Sequence, residues 1–365
     1  MSRHRQVAIH AIIFAAALFA ANPVRAQQNN FTVGTATAAP GQKASGFIDV
    51  PAGVDAATHI PVVIFRGAKP GPTLAIVSGS HGTEYASIIA VERLITTLDA
   101  TRISGTVILI PLVNILSFEQ KVPHVNPIDK KSMNRFYPGR LDGTQTDRVS
   151  FLITQQVVDK SDYLIDLHGG DLDEDLRPYS YYTISGNEKV DRVSRDLALA
   201  FGLDHIIIQT DFPRDPADSR YLSNTALTRG KPAAIAEAGY AGTVEPRDVD
   251  SLVYGCENIM RYLKMSPGAA PFVKNPVWIE KVVTVSGDQP GIFYPEVKRG
   301  TYVAAGMKIG YVTDYIGNIV QEARSPVAGV VLYICAVPTM TKGAAIANIG
   351  VITTTEPGFA SAKEK

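Results

Sequence analysis

Residues 74–84 read LAIVSGSHGTE, an apolar run that passes directly into a turn with two glycines. The run 74–78 is typical of a strand buried on both faces, and Glu84 stands where the next helix would begin. His81 and Glu84 are therefore predicted to lie just beyond the carboxyl end of a strand, the edge where open α/β sheets bind ligands. The His-x-x-Glu spacing alone is weak evidence, and its position at the strand end gives it weight.

Apolar β-rich runs alternate with helical runs through residues 27–265. The predicted strands are 60–66, 74–78, 107–113, 163–167, 205–209 and 233–236, and the predicted helices are 84–98, 151–158, 190–201 and 252–263. Continuous apolar strands separated by helices indicate a sheet covered on both faces. We therefore predict one α/β domain over residues 27–265.

The pattern changes after a Pro- and Gly-containing linker at residues 266–276. Helical periodicity is lost, and glycines separate short β-like runs at 279–285, 291–294, 302–304, 308–313 and 327–334. We predict a small all-β domain over residues 277–355. Its candidate hairpin at 313–318 has no lysine to carry a cofactor, so a lid that narrows an active-site entrance is favoured over a swinging-arm carrier.

Composition excludes several classes of function. The 365 residues include 35 basic and 35 acidic side chains, so no general attraction to nucleic acid or to an anionic membrane is expected. An apolar fraction of 45% is sufficient for a large core. Two cysteines, Cys256 and Cys335, cannot build a disulfide framework, and unpaired thiols are favoured over a bridge between them.

The first 26 residues have the pattern of a secretory signal peptide. Basic residues at 3–5 precede a mostly apolar run of 15 residues at 7–21, shorter than the ~20 that a membrane-spanning helix needs. Small residues at Val24 and Ala26 predict cleavage after Ala26. We expect a periplasmic or secreted protein with no membrane attachment after cleavage.

A second histidine follows another predicted strand. The strand 163–167 runs directly into His168, which two glycines follow. Two imidazoles and one carboxylate from His81, Glu84 and His168 suit a catalytic zinc ion, which takes three protein ligands and keeps one position for water. Cobalt or manganese could occupy the same ligands, and each histidine alone could be an ordinary turn residue. Asp166, two residues before His168, could orient its ring.

Two further motifs complete the candidate site. Glu237 directly follows the apolar strand 233–236. A buried carboxylate there costs free energy unless it has a chemical role, and beside a metal site it could serve as general base. A salt-bridged or helix-capping glutamate is the alternative. Asn134 and Arg135 lie in a loop-rich region, where an Arg fork suits the capture of a substrate carboxylate, although a solvated loop arginine is the more common case.

Together these motifs resemble the succinylglutamate desuccinylase/aspartoacylase family, a deacylase branch of the zinc-carboxypeptidase fold. The similarity covers residues 61–263, and the C-terminal β run is similar to the barrel-sandwich-like domain that these proteins append. The matching motifs are His81-x-x-Glu84, Asn134-Arg135-x-x-Pro138-Gly139, Asp166-Leu167-His168 and Glu237-Ala238-Gly239.

The resemblance implies a zinc-carboxypeptidase-like mixed sheet flanked by helices, with a zinc-dependent catalytic domain over residues 27–265. It implies one Zn²⁺ per chain, Glu237 as general base and acid, and a substrate carboxylate held by Asn134 and Arg135. The implied zinc ligands are His81, Glu84 and His168.

The sequence departs from the family pattern in two places. Relatives commonly have Asp-Leu before the Asn-Arg pair, where this chain has Ser132-Met133. The family's upstream arginine, which helps to stabilise the oxyanion, is absent, and Lys121 or His124 is the available substitute. The acidic run after His168, residues 171–175, either favours a substrate with an amine or guanidinium or forms a solvated lid or helix start.

The leading hypothesis is a zinc amidohydrolase that cleaves an N-acyl amino acid or a similar small amide bearing a carboxylate. The alternatives are a zinc carboxypeptidase acting on peptides and a non-catalytic relative that binds a ligand. The first two use the same motifs, and a narrow cleft would exclude peptides. The expected partner is a small carboxylate-bearing molecule, and a homo-oligomer is compatible with the sequence.

Overall fold

The computed structural model describes residues 30–354. The predicted signal peptide, residues 1–26, lies outside the described residues, as does the last residue of the predicted 277–355 domain. The helices within 30–354 are α1 Tyr85–Thr97, α2 Ile115–Gln120, α3 Gln145–Ile153, α4 Glu188–Phe201, α5 Leu222–Leu227 and α6 Pro246–Tyr262. In this part of the chain, no helix combines the length and apolar character needed to cross a membrane.

Strands account for most of the remaining regular structure. They are β1 Phe31–Val33, β2 Ala36–Ala38, β3 Gln42–Val50, β4 Thr58–Arg66, β5 Lys69–Val77, β6 Ser104–Ile110, β7 Tyr163–His168, β8 Glu174–Thr183, β9 His205–Gln209, β10 Ala233–Tyr240, β11 Val277–Ser286, β12 Gly291–Pro295, β13 Tyr302–Val303, β14 Lys308–Thr313, β15 Ile319–Arg324, β16 Gly329–Cys335, β17 Thr339–Met340 and β18 Ala345–Thr353. Short 3-10 turns and one π turn are at Ala100–Arg102, Met133–Arg135, Pro216–Asp218 and Thr154–Val158. The six strands and four helices predicted before residue 265 all form, with shifted ends.

One large mixed sheet organises the molecule. Its strand order within the described chain is β13-β16-β18-β11-β9-β8-β10-β7-β5-β6-β4-β3. The neighbours β6, β5, β7 and β10 are mutually parallel, whereas β8 runs antiparallel to β10. The carboxyl ends of β5, β7 and β10 therefore meet at one edge of the sheet.

Burial on both faces of the sheet explains the continuous apolar strands. Along β5, Leu74 and Ile76 pack into the core that helices α1, α4 and α6 cover. Ala75 and Val77 point the other way, into the core that α3 and α5 cover. Since successive residues of a strand face opposite sides, both halves of the run must be apolar.

The C-terminal strands join the same sheet, which the sequence does not reveal. β11 pairs in parallel with β9, and β16 pairs with both β18 and β8. With the β8–β9 and β11–β18 pairings, these contacts close a ring of five strands. β12, β14, β15 and β17 form a separate small sheet. The region after residue 277 is rich in β structure as expected, and its limits as a domain stay a prediction.

Both cysteines are unpaired. Cys256 lies in α6 and Cys335 ends β16, and both are buried free thiols. The preference for unpaired thiols over a bridge is confirmed.

Arg299 ties the C-terminal region to the first domain, and Arg299→Gln is expected to destabilise the protein by about 2–4 kcal/mol. Its Nη1 donates to the carbonyl oxygens of Leu176 and Gly239 at 2.6 and 3.0 Å and lies 3.1 Å from Asp248 Oδ2. Asp248 is only 1% exposed, so the substitution leaves a buried carboxylate without its cation. Urea unfolding checks the value. Lys298→Gln, an exposed neighbour, is the matched control, and a loss for Arg299→Gln no larger than the control's contradicts the assignment.

Candidate metal and catalytic site

The carboxyl ends of three strands position the candidate site. His81 and Glu84 follow β5, His168 ends β7, and Glu237 on β10 is in register with His168. The chain turns sharply after β5 because Gly79 has a φ of +68°, and a Cβ there would lie 2.7 Å from the Leu112 side chain. Only glycine permits this turn, which brings His81 and Glu84 back over the sheet edge.

His81, Glu84 and His168 are brought together. The Nδ1 atoms of His81 and His168 lie 2.6 and 2.9 Å from the two oxygens of Glu84. One ligand atom from each side chain falls within 4.8 Å of the others. Glu84 and His168 are buried, and His81 is half-buried. Two imidazole nitrogens and a carboxylate oxygen at this spacing form a donor set that fits a zinc ion.

The other ring nitrogen of each histidine, Nε2, contacts a further side chain. His81 Nε2 lies 3.2 Å from Ser132 Oγ, and His168 Nε2 lies 3.2 Å from Asp166 Oδ1. A proton on each Nε2 leaves the Nδ1 lone pairs directed at the shared centre, the tautomer that a metal ligand requires. The expected contact of Asp166 with His168 is present, and Ser132 occupies the equivalent place behind His81.

At this centre, nearby charges and burial shift the pKa values of Glu84 and His168 in opposite directions. Burial raises the pKa of Glu84, but His81 and His168 outweigh it and bring the pKa of that carboxyl far below its usual value. Burial lowers the pKa of His168, whereas Asp166 and Glu84 raise it well above the ordinary range. The centre is thus built to hold a carboxylate beside positive charge. A divalent cation would supply that charge in place of protons.

Glu237 faces the same space with two tyrosines on its carboxylate. Tyr179 and Tyr181 of β8 donate hydrogen bonds to its Oε2 and Oε1 at 3.2 and 3.1 Å. Burial raises the pKa of Glu237, and His168 acts in the opposite direction. A carboxyl with a raised pKa suits proton transfer near neutral pH. From the sequence alone these two tyrosines are interpreted as packing residues, and their i, i+2 spacing along a strand is the signal that could have placed them on one face.

A cavity of about 500 Å³ joins these residues. Arg135 lines it, with its guanidinium 4.8 Å from the centre of the Tyr221 ring and Nη1 donating to the Asn134 carbonyl. The wall also includes Tyr333 of β16 and Asn348 of β18. The C-terminal strands therefore contribute to the wall of this cavity, and the lid interpretation stays a prediction.

Asn134 is fixed by the protein itself. Its Oδ1 accepts from the Leu222 amide at 2.8 Å, and its Nδ2 donates to Asp166 Oδ2 at 3.3 Å. Nδ2 also lies 3.0 Å from His168 Nε2. The amide is therefore held against Asp166, the carboxylate that contacts His168, and it lines the cavity; its predicted contact with substrate stays a prediction.

The acidic residues after His168 lead into strand β8 and not into a helix. The interpretation of this run as a helix start is therefore wrong. Asp171 and Asp173 lie 3.1 and 3.4 Å from the ring nitrogens of His124, and Asp173 contributes most to raising the pKa of His124 to about 9. Glu174 begins β8 and lines the cavity. Of the two substitutes for the absent arginine, His124 lies on the cavity wall, and Lys121 caps α2 outside it.

Comparison with known proteins identifies what the chain resembles. A family model for the succinylglutamate desuccinylase/aspartoacylase catalytic domain matches residues 70–263, more than half of the chain. N-alpha-acetyl-L-2,4-diaminobutyric acid deacetylase from Halomonas elongata is 27% identical over 278 residues, covering 74% of this chain and 79% of that protein.

Solved structures agree on the fold. A succinylglutamate desuccinylase/aspartoacylase from Rhodobacter sphaeroides has a TM-score of 0.75 at 21% identity and covers 86% of this chain and 96% of its own. The product-bound ectoine utilization protein EutE (DoeB) from Ruegeria pomeroyi has a TM-score of 0.76 at 22% identity, with 86% and 97% covered. The mixed α/β fold and its sheet-rich C-terminal region are shared with these proteins.

Proposed function

Because the chain belongs to the succinylglutamate desuccinylase/aspartoacylase family of deacylases, we propose that it is a zinc-dependent amidohydrolase of N-acyl amino acids or similar small amides bearing a carboxylate. The observation that carries this proposal is the donor set of His81, Glu84 and His168, with Glu237 on the wall of the same cavity. The metal ligands at the carboxyl end of a parallel block of strands support a zinc-carboxypeptidase-like sheet as part of the same proposal.

The three side chains His81, Glu84 and His168 would hold one zinc ion per chain. When bound, zinc polarises a scissile carbonyl and lowers the pKa of a water molecule toward neutrality. Asp166 and Ser132 keep the two imidazoles in the orientation that this requires. Cobalt or manganese would fit the same donors.

Glu237 performs the proton transfers. It takes a proton from the attacking water and delivers it to the leaving nitrogen as the amide bond breaks. Tyr179 and Tyr181 hold both of its oxygens, so the carboxylate keeps one orientation during the two transfers. His124 on the cavity wall is the cation available in place of the absent arginine, and it would act on the oxyanion through its charge, because Asp171 and Asp173 already contact its two ring nitrogens.

Arg135 binds the substrate carboxylate in this proposal, and Arg135→Gln is expected to raise KM about 10–100-fold with a smaller effect on kcat. Loss of a hydrogen bond to a charged group costs about 1.5–3 kcal/mol, which corresponds to that change in affinity. Steady-state kinetics on an N-acetyl amino acid checks it. Arg140→Gln, an exposed arginine 3.9 Å from Asp142, is the control. Equal KM values for the two variants would remove Arg135 from the binding site.

A panel of substrates separates this function from its alternatives. Amine release is measured from N-acetyl amino acids, including N-acetyl-2,4-diaminobutyrate because of the name of the Halomonas relative, and from dipeptides and tripeptides. Tyr333 and Asn348 contribute to the wall of the cavity of about 500 Å³, and we expect release from acyl amino acids and not from peptides. Turnover of peptides alone would favour the carboxypeptidase, and binding without turnover of either class would favour a ligand-binding relative.

We further propose that the protein acts in the periplasm or after secretion, on a small molecule and not on nucleic acid or membrane. The basic and apolar pattern of residues 1–26 supports the location. Cell fractionation with detection of a chain that begins at Gln27 checks the location. Recovery of an uncleaved chain in the cytoplasm would contradict it.

A further inference from the structure

The guanidinium group of Arg135 lies over the ring of Tyr221, and the proposed chemistry gives that ring no role. The guanidinium carbon is 4.8 Å from the centre of the ring, and Nη1 donates to the Asn134 carbonyl oxygen at 2.6 Å. Arg135 is exposed, Tyr221 is half-buried, and both line the cavity of the candidate site. The ring is therefore placed to restrict a long side chain that solvent alone would leave free.

The position of Tyr221 is fixed by contacts of the residues on either side of it. Before it, Arg220 and Tyr137 exchange backbone hydrogen bonds of 2.8 and 3.3 Å. After it, the Leu222 amide donates to Asn134 Oδ1 at 2.8 Å. Both neighbours of Tyr221 are thus bonded to the same short segment that carries the arginine, so the ring has a fixed place beside the guanidinium group.

Arg220 adopts a backbone conformation that belongs to this arrangement. Its φ of +62° lies in the left-handed region, which is unfavourable for a residue with a Cβ. Residues stay in this region where surrounding contacts determine their conformation. Here the two hydrogen bonds with Tyr137 do so, and the chain turns at Arg220 immediately before Tyr221 caps α5. The placement of the Tyr221 ring is therefore specified by the fold.

A tyrosine ring holds a guanidinium group differently from a carboxylate. The face of the ring attracts a cation, and the flat guanidinium group stacks on it. An acidic partner would occupy N–H donors at the edge of the group and neutralise its charge. The ring of Tyr221 is uncharged and uses the face of the Arg135 guanidinium group, so the positive charge and the remaining N–H donors stay available to a carboxylate.

We propose that Tyr221 is a positioning residue for the substrate carboxylate, because its ring holds the Arg135 guanidinium group in the orientation that binds this carboxylate. This inference rests on the proposed function. An exposed arginine without such a partner loses more side-chain freedom when a ligand binds, and a group that is already oriented loses less. Since the carboxylate takes no part in the breaking of the amide bond, the ring is expected to lower KM and to leave kcat unchanged.

The first test separates the ring of Tyr221 from its hydroxyl group. Tyr221→Leu removes the ring and is expected to raise KM for an N-acetyl amino acid about 5–20-fold, with kcat within about twofold of the wild-type value. Tyr221→Phe keeps the ring and is expected to keep KM within about twofold. Tyr254→Leu is the matched control, because Tyr254 is exposed on α6, lies 5.8 Å from the guanidinium group of Arg261 and does not line the cavity. A KM in Tyr221→Phe as high as in Tyr221→Leu would overturn the proposal.

The second test asks whether Tyr221 acts through Arg135. In a protein that already carries Arg135→Gln, the addition of Tyr221→Leu is expected to change KM by less than about twofold, because residues that share one contact do not have additive effects. A general structural role of Tyr221 would not depend on Arg135. A further increase of KM in the double variant, as large as in Tyr221→Leu alone, would therefore contradict the positioning role.

Calorimetry with N-acetylglycine gives a readout that needs no turnover. The zinc-loaded Glu237→Gln protein is the background, and the addition of Tyr221→Leu is expected to weaken binding about 5–20-fold. If the wild-type protein hydrolyses no N-acyl amino acid but this loss is seen, and is absent when Arg135→Gln is present, the positioning role stands and the proposed function fails. If Tyr221→Leu leaves binding unchanged, or if N-acetylglycine does not bind, the positioning role is wrong.

Discussion

Glu237→Gln is expected to lower kcat by about 10²–10⁴-fold while zinc binding stays at one ion per chain. General acid–base catalysis by a positioned side chain contributes a factor of this size, and a glutamine amide cannot accept the proton. The substitution keeps the length of the side chain, and its amide can still accept a hydrogen bond from Tyr179 or Tyr181. The measurement is single-turnover amine release, with metal content determined on the same sample.

A matched glutamate provides the control for this variant. Glu280 is exposed on β11, away from the cavity wall, so Glu280→Gln should keep the wild-type rate. If Glu237→Gln binds zinc normally and hydrolyses substrate at the wild-type rate, the assigned base is wrong.

His81→Gln is expected to weaken zinc binding by about 10²–10³-fold and to reduce kcat/KM in parallel at limiting zinc. Four protein ligands in a structural zinc site supply ~10–16 kcal/mol, so each protein ligand accounts for about a quarter of that free energy. His81 is the least buried of the three, and its Nε2 contacts only the Ser132 hydroxyl, so this variant disturbs the core least. Competition with a chromophoric chelator measures the zinc affinity.

His59→Gln provides the comparison for a general effect of histidine loss. His59 is exposed on β4, packs against the Phe47 ring and does not line the cavity. It should keep the wild-type zinc affinity. An unchanged zinc affinity in His81→Gln would show that the metal, if bound, lies elsewhere.

The strand ends of the site could be predicted because each signal is local. Residues 74–84 contain both the buried strand and the turn. The apolar runs before His168 and Glu237 indicate strands equally clearly. The parallel pairing of β5, β7 and β10 then brings their ends together, with Glu237 and His168 in register. Alternation of Leu74 and Ala75 between the two faces of the sheet likewise follows from the sequence.

β8 could not be predicted because its role depends on partners distant in sequence. It begins with acidic residues and contains Pro178, features that locally favour a loop. Its pairing with β10 is irregular between Glu237 and Gly239, and a further partner besides β10 and β9, β16, lies about 160 residues later. The placement of Tyr179 and Tyr181 on Glu237 follows from those pairings.

The pairing of the C-terminal strands could not be predicted from the sequence for the same reason. Short β runs punctuated by glycine indicate strands, but they do not specify that β11 pairs with β9. Closure of the five-strand ring brings Tyr333 to the cavity. The contact of Arg299 with Asp248 connects the C-terminal strands to helix α6. The extent of the cavity is therefore a property of long-range pairing and not of any local motif.

Amine release before and after chelation tests whether a metal held by His81, Glu84 and His168 enables amide hydrolysis. We expect protein with one zinc per chain to release amine from an N-acetyl amino acid, to lose this activity after the metal is removed, and to recover it when one equivalent of zinc is returned. Release that continues undiminished in the metal-free protein would contradict this expectation.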